Sequence, residues 1–325
     1  MIIVTGATGF IGSHLVTQLL RSGLPVRVLV PPQVAARYQR RGQAWPWADA
    51  GEAEVAEGSV FHGESLFRAM QGVHTVFHLA GAQWWGNQRD LEHVELVGTR
   101  QVVTASRSAR VGRLIFLSHL GAEPGSAYTL LRIKGQAEEL VRAGGIAYTI
   151  FRSGIVFGND DHFANNLAMV MRVNPIFFFL PGQGENLLHP IHIDDLIAAL
   201  VNSLEATDLV DETVEIGGGE YVSLSEMSRT VMRVTGIRRI TVSLPPYVLR
   251  GLNRLANLLF PRWPVTPQWF DLFAANRTAK LGNLYHYTGV RPVRFEDTLL
   301  TYMPHRRYSL ELLRFVFRRR PGIRF

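Results

Sequence analysis

The sequence predicts an α/β fold: a doubly wound parallel sheet with a smaller, mostly helical C-terminal lobe. Three observations predict it. The first residues, MIIVTGATGFIGSHL, place an apolar run directly before Gly6, Gly9 and Gly12, and a helical pattern follows at once. Apolar strand-like runs then alternate with helical ones over the first half of the chain, as crossover connections between parallel strands require. Beyond Gly158 this alternation loosens, and amphipathic helical segments dominate from Pro245 on. With 325 residues and 47% apolar side chains, the chain can bury a substantial core.

The elements follow in order. Ile2–Val4 is the first strand, and Ile11, Leu15, Leu19 and Leu20 mark one face of the first helix. Val26–Val30 is the second strand. Ala53–Glu57 is a weaker third, with a short helix over about Glu64–Met70. Thr75–Ala80 is a further buried run. A long helix from about Leu91 to Ala109 leads to the strand Leu114–Ser118, and a helix from about Lys134 to Ala143 leads to the strand Ala147–Phe151. Both faces of such a sheet are covered, so its strands read as apolar runs rather than alternating ones. Residues 1–158 form the nucleotide-binding part and 159–325 an interleaved C-terminal lobe. That lobe carries helices near Ala164–Arg172, Ile193–Leu204 and Leu224–Thr235 and a short strand Val214–Ile216.

The strand–glycine–helix start is a dinucleotide-binding arrangement. Gly6 permits the tight turn, Gly9 lets the backbone approach a pyrophosphate, and Gly12 lets the helix pack against the strand. The helix N-terminus, with Thr8, Phe10 and Ile11 around it, then faces the phosphates. NAD binders usually carry an acid at the end of the second strand for the ribose 2′-hydroxyl. Here Val30, Pro31 and Pro32 stand there, with Arg37, Arg40 and Arg41 close behind, which favours NADP(H) over NAD(H).

Composition narrows the remaining chemistry. There is no cysteine, which excludes disulfides, thiolate catalysis and cysteine-ligated metals. The strand starting at Ile2 leaves no room for a signal peptide, and no apolar run approaches the roughly 18–20 residues of a membrane helix. His62, His74, His78, His119, His189 and His192 are scattered with no metal-ligand spacing, so no metal site is expected. Asp160-Asp161 and Asp194-Asp195 read as caps of the helices that follow them. Charge is strongly asymmetric: Met1–Ser228 carry 16 basic and 23 acidic residues, whereas Arg229–Phe325 carry 18 basic and four acidic ones. Pro245–Phe270 sets Val248, Leu249, Leu252, Leu255 and Leu259 among Arg250, Arg254 and Arg262, with Trp263 and Trp269 beyond; Leu310–Phe325 ends on Arg318-Arg319-Arg320. Basic amphipathic helices of this kind suit an anionic membrane surface or an acidic protein subunit. No nucleic-acid-binding module is present. A cytoplasmic protein, peripheral on the cytoplasmic face of the membrane, is expected.

Several motifs together resemble the short-chain dehydrogenase/reductase superfamily, in its extended or atypical branch, and with it a Rossmann-type sheet. They are TGATGFIG after the first strand, Thr75–Gly81 (TVFHLAG), Val94–Thr99 with Glu95 where the family has Asn, Arg113–Ser118 (RLIFLS), Phe151–Gly158 (FRSGIVFG) and His189–Leu196 (HPIHIDDL). Ser118-His119-Leu120, Leu131–Lys134 and Ile155–Asn165 are similar to the dehydrogenase-like accessory subunit of respiratory complex I and its bacterial relatives. The resemblance implies cofactor contacts at Leu79, Ala80 and Gly81, at Ser59 and Val60 beside the adenine, at Ser118 and Lys134, and at Phe151, Ser153 and Ile155.

The superfamily's reaction uses a Tyr four residues before a Lys, with a Ser to orient the carbonyl. Lys134 fits the Lys, and in a chain with two lysines against 32 arginines it marks a need for a compact ammonium. Four residues earlier stands Leu130, which cannot transfer a proton. Tyr128, His119 and Ser118 are the remaining catalytic candidates, Tyr128 being displaced by two residues and so by roughly 200° on a helix. The expectation is a nucleotide-holding accessory subunit or assembly factor of a membrane-associated redox complex. An active reductase or epimerase with another proton donor, and a nucleotide-sensing regulator, stay open.

Overall fold

A computed structural model describes residues 1–82, 88–260 and 262–317. The basic stretch Arg318-Arg319-Arg320 and the end of the expected Leu310–Phe325 segment lie outside the described residues. The elements of the first half run β1 (Ile2–Thr5), α1 (Phe10–Arg21), β2 (Val26–Val30), α2 (Pro32–Arg41), β3 (Glu54–Glu57), α3 (Gly63–Ala69) and β4 (Thr75–His78). After β4 come α4 (Gln88–Glu92), a π-helical turn (His93–Gly98), α5 (Thr99–Ser108), β5 (Arg113–His119), α6 (Thr129–Arg142) and β6 (Tyr148–Ser153). The second half adds β7 (Val156–Phe157), α7 (Ala164–Val170), β8 (Phe177–Pro181), β9 (Leu187–Leu188), β10 (Ile191–His192), α8 (Ile193–Asn202) and β11 (Glu212–Ile216). It closes with β12 (Val222–Ser223), α9 (Leu224–Thr235), β13 (Ile240–Leu244), α10 (Pro246–Leu259), α11 (Gln268–Leu272), α12 (Asn283–Thr288), α13 (Phe295–Tyr302) and α14 (Tyr308–Val316).

The main sheet has seven strands in the order β11-β6-β5-β4-β1-β2-β3, all parallel. From β1 the chain winds one way through β2 and β3. It then returns to β4 and winds the other way through β5, β6 and β11. The strand order therefore reverses beside β1 and β4, and a crevice opens at their carboxyl ends. The period-2 alternation of each strand feeds both faces: Ile2 and Val4 join the cluster with Leu15, Phe77 and Phe151, while Ile3 joins Leu66, Val76 and Phe116. A third cluster, with Leu130, Ile155, Phe163, Met227 and Trp269, is the core of the second lobe. The second half supplies β11 to the edge of the main sheet, paired with β6.

Two helices differ from the sequence reading. The long helix over Leu91–Ala109 is interrupted by the π turn His93–Gly98, a local widening common at functional sites. Helix α6 begins at Thr129 rather than near Lys134. The two acidic pairs also part ways. Asp161 is not the N-cap residue of α7, which is Phe163, but its Oδ1 accepts from the Phe163 and Asn165 amides at the start of that helix. The cap of α8 is His192, which accepts from the Asp194 amide, while Asp195 instead accepts from the Val293 amide across the lobe. Among the described residues no helix is long and apolar enough to cross a membrane.

Candidate functional site

The β1–α1 turn has the geometry its glycines promised. Gly6 sits at φ +72°, and a Cβ there would come within 2.8 Å of the Leu79 and Ala80 backbone at the end of β4. At Gly12 a Cβ would lie 2.2 Å from the Gly6 carbonyl oxygen, so the first turn of α1 rests directly on the loop. Gly9 is the N-cap of α1, and no side chain caps that end and no acid lies in its first turn. Its backbone N–H groups and the positive end of a 12-residue helix therefore face the crevice.

The crevice is a cleft of about 310 Å³. Gly6, Thr8, Gly9, Phe10, Ile11 and Gly12 form one wall. Val60, Leu79 and Gly81 line another wall together with Pro31 and Val34. Arg37 reaches this wall from α2, its guanidinium 5.6 Å from the Tyr38 ring centroid. Ser118, His119, Lys134 and Ser153 line the far end. Of the other expected contacts, Ser59 is buried with its Oγ accepting from the Phe61 amide. Ala80, Phe151 and Ile155 are buried as well, and none of these four is on the cleft wall.

Lys134 is built into the floor. One helical turn above the start of α6, it is 7% exposed. Its ammonium lies 2.8 Å from Glu95 Oε2, donates to the Leu117 carbonyl at 3.2 Å, and lies 5.2 Å from the Phe116 ring centroid. Glu95 is fully buried and comes from the π turn. Its other oxygen, Oε1, has no hydrogen-bond partner among the described residues and points toward the position of Gly81, where an added Cβ would lie 2.9 Å away. A fixed ammonium and an adjacent unsatisfied carboxylate oxygen form a donor–acceptor pair, which is what a ribose diol requires.

The neighbours of Lys134 are committed elsewhere. Ser118 donates to Glu138 Oε1 at 2.6 Å, and Glu138 in turn holds Arg152 and Arg142. Its hydroxyl is thus locked into an ionic network between α6 and the sheet. His78 bridges Thr5 Oγ1 at 2.7 Å and Thr99 Oγ1 at 3.0 Å, and burial, then the Lys134 charge, hold its pKa down at about 3. His119 donates from Nδ1 to the Leu120 carbonyl at 3.0 Å; burial holds its pKa at about 4. Nε2 then carries a lone pair and has no partner among the described residues. In this tautomer His119 can accept a proton but not donate one.

The proton donor of the superfamily has no counterpart at its usual place. Leu130 is 0% exposed, packed in the core of the second lobe, and its amide donates to Asp271 Oδ2 at 3.0 Å. Tyr128 is the N-cap residue of α6 and half-buried. The Arg277 guanidinium lies 5.6 Å from its ring centroid, and it is not on the cleft wall. The structure thus brings together the glycine loop, Arg37 and Lys134 and leaves Tyr128 apart. Sequence reasoning did not assign Glu95, His162 or Arg262, all three of which line the cleft. Glu95 was visible only as a departure from the family's Asn; His162 and Arg262 arrive from the second lobe with no local signal.

Comparison with known proteins agrees with this geometry. A family model described as NAD(P)H-binding matches residues 6–171. The chain is 27% identical over 259 residues to NADH dehydrogenase (ubiquinone) 1 alpha subcomplex subunit 9, mitochondrial, of Mus musculus; the match covers 78% of this chain and 66% of that protein. It is 30% identical over 247 residues to the ceramide reductase of Caulobacter vibrioides, covering 75% of this chain and 74% of the relative. Among solved structures, UDP-glucose 4-epimerase of Thermotoga maritima superposes with a TM-score of 0.68 at 20% identity, covering 96% of this chain and 99% of the epimerase. That likeness concerns the fold alone. The chain spans about two thirds of the length of the mouse and Neurospora crassa relatives it matches. On the family match over the glycine loop, cleft and Lys134, and on the relatives, the chain belongs to the NAD(P)H-binding proteins of the atypical short-chain dehydrogenase/reductase type.

Proposed function

We propose that this protein holds a nicotinamide dinucleotide as an accessory subunit or assembly factor of a membrane-associated redox complex. The observation that carries the reading is Leu130. The cleft is lined by the glycine loop, Arg37 and Lys134, yet the position of the proton donor is an apolar side chain in the core. The amides of the β1–α1 turn would take the pyrophosphate, and the Lys134–Glu95 pair the nicotinamide ribose hydroxyls. Arg37, with no carboxylate at the end of β2, favours a 2′-phosphate and hence NADP(H). When bound, the dinucleotide supplies a hydride donor or acceptor; the chain's own residues bind it, orient it and screen it from water.

Two further observations support the setting. The mouse relative is by name a subunit of a mitochondrial NADH dehydrogenase (ubiquinone). Helix α10 carries Arg250 and Arg254 and no acid, and Leu258 and Tyr247 are 82% and 76% exposed, which suits an anionic membrane surface on the cytoplasmic side. Purification from membranes at low salt, with mass-spectrometric identification of the bound nucleotide and co-purifying proteins, tests the reading. Recovery of a lone monomer without nucleotide overturns it.

A second reading, an NAD(P)H-dependent reductase, is favoured by the ceramide reductase relative and by His119 Nε2 and Glu95 Oε1, which have no hydrogen-bond partner among the described residues. In it the proton donor is Tyr128 or His119. Substrate-dependent NADPH oxidation that disappears in Tyr128→Phe or His119→Ala while nucleotide binding persists would establish it.

A further inference from the structure

The second lobe contains another cleft, also about 310 Å³, which the nucleotide does not explain. Its walls come from α7, β8, α10 and α11, among them Leu167, Phe178, Leu249, Leu252, Trp269 and Phe273. Its polar lining side chains are Asn174 and Asn253, with the indoles of Trp263 and Trp269. Asn253 Oδ1 accepts from Asn257 Nδ2, and Asn174 Oδ1 accepts from the Ile176 and Phe177 amides. A space so largely apolar favours an apolar occupant.

Its roof is unusual. Helix α10 has 14 residues, of which only Asn253 is fully buried. Leu249 and Leu252 face the cleft, yet Leu255, Leu258 and Leu259 on the same helix are exposed. Opposite, Phe177 and Phe179 line the cleft and are also exposed, next to exposed Val173 and Ile176. The rim on both sides is therefore apolar and uncovered. A helix apolar on more than one face needs an apolar neighbour on each. The charges name the neighbour: α10 has no acid and two arginines, of which Arg250 is shared with Asp271 at 3.5 Å, within a third of the chain that carries 18 basic and four acidic residues. An anionic lipid surface satisfies both requirements. The lining also abuts the nucleotide cleft, since Arg262 lines that cleft and Trp263 this one.

We propose that the cleft beneath α10 binds one hydrocarbon chain of a membrane lipid, with α10 lying in the interface and the lipid headgroup on the arginine side. The proposal rests on the membrane reading above, but the two are separable. The site needs no covalent step; the chain enters by burial of apolar surface alone.

Two measurements on the full chain test it. The first titrates 9,10-dibromostearate, below its micelle concentration, against tryptophan fluorescence, which Trp263 and Trp269 on the cleft wall should report. The second is flotation with vesicles of phosphatidylcholine and phosphatidylglycerol. Saturable quenching is expected, weakened at least tenfold in Ala256→Phe, which fills the cleft from α10, and unchanged in Leu255→Asp/Leu258→Asp, which alters only the outer face. The outer-face variant should lose flotation, and Ala256→Phe should keep it. Retained nucleotide affinity and an unchanged unfolding temperature show that each variant is folded; if Ala256→Phe fails there, Leu249→Phe replaces it. Absent or non-saturable quenching, or equal quenching in wild type and the filled variant, overturns the chain site even if flotation persists. Quenching without flotation upholds the chain site and overturns the membrane reading.

Discussion

Replacing Lys134 by methionine keeps the length and apolar stem of the side chain and removes its charge. Glu95 is then left fully buried, with its nearest cation, 2.8 Å away, gone. At that separation two unit charges attract by about 6 kcal/mol in an effective dielectric of about 20. Most of that attraction offsets the cost of having buried both groups. The loss on removing one partner of such a pair is about 3–5 kcal/mol, because the remaining charge stays desolvated. The assay is urea unfolding followed by tryptophan fluorescence, with midpoint and slope fitted together. Glu95→Gln alone should also destabilise. The double variant should cost less than the two singles summed, with a coupling of about 1–3 kcal/mol. A Lys134→Met loss below about 1 kcal/mol, or strict additivity, would refute the idea that a buried ion pair fixes the ammonium in the cleft.

Three more outcomes follow from the geometry. Gly12→Ala should cost about 1–3 kcal/mol and weaken nucleotide binding, since its Cβ meets backbone at 2.2 Å. Gly9→Ala, whose Cβ meets only the Gly6 carbonyl at 3.2 Å, should cost less stability; calorimetry and nucleotide titration compare them. Arg37→Ala should weaken NADP(H) about 10- to 150-fold relative to NAD(H), as loss of a charge-assisted contact to a phosphate would, and equal losses for both cofactors would argue against a 2′-phosphate at this arginine. Stability should fall as pH drops from 6.5 toward 4. His78, His119 and His162 have folded pKa values depressed by burial to about 3, 4 and 4, so in this window the unfolded chain binds more protons, about 1.4 kcal/mol per pH unit for each proton. Asp161, raised by burial to about 6, opposes them between 4 and 6, as do Asp195 and Asp271, also raised by burial. His189 and His192, lowered by burial, add to the three imidazoles, so five histidines stand against three acids, and a flat unfolding midpoint over this range would contradict the burial of these imidazoles.

What the sequence determined by itself is local. The strands β1, β2, β4, β5 and β6, the glycine turn and α1 were readable because their signals lie within a few residues: apolar runs of sheet length, glycines three apart, and a helical face starting at Ile11. Lys134 stood out through the chain's own preference for arginine. The start of α6 was not readable, because the acceptor for its Leu130 amide is Asp271, 141 residues away, and no nearby residue marks the boundary. Glu95 gave no sign of being the lysine's partner: a helical wheel puts it on the buried face with Leu91, Gly98 and Val102, but the cation it meets there comes from α6, 39 residues later. The basic, apolar character of Pro245–Phe270 was legible as composition. That α10 roofs an apolar cleft became visible only when α7, β8 and α11 were packed beneath it. Periodicity reports which face of an element is buried. Which element buries it, and which buried charge finds which partner, is decided by contacts between residues far apart in the chain, and those exist only in the tertiary structure.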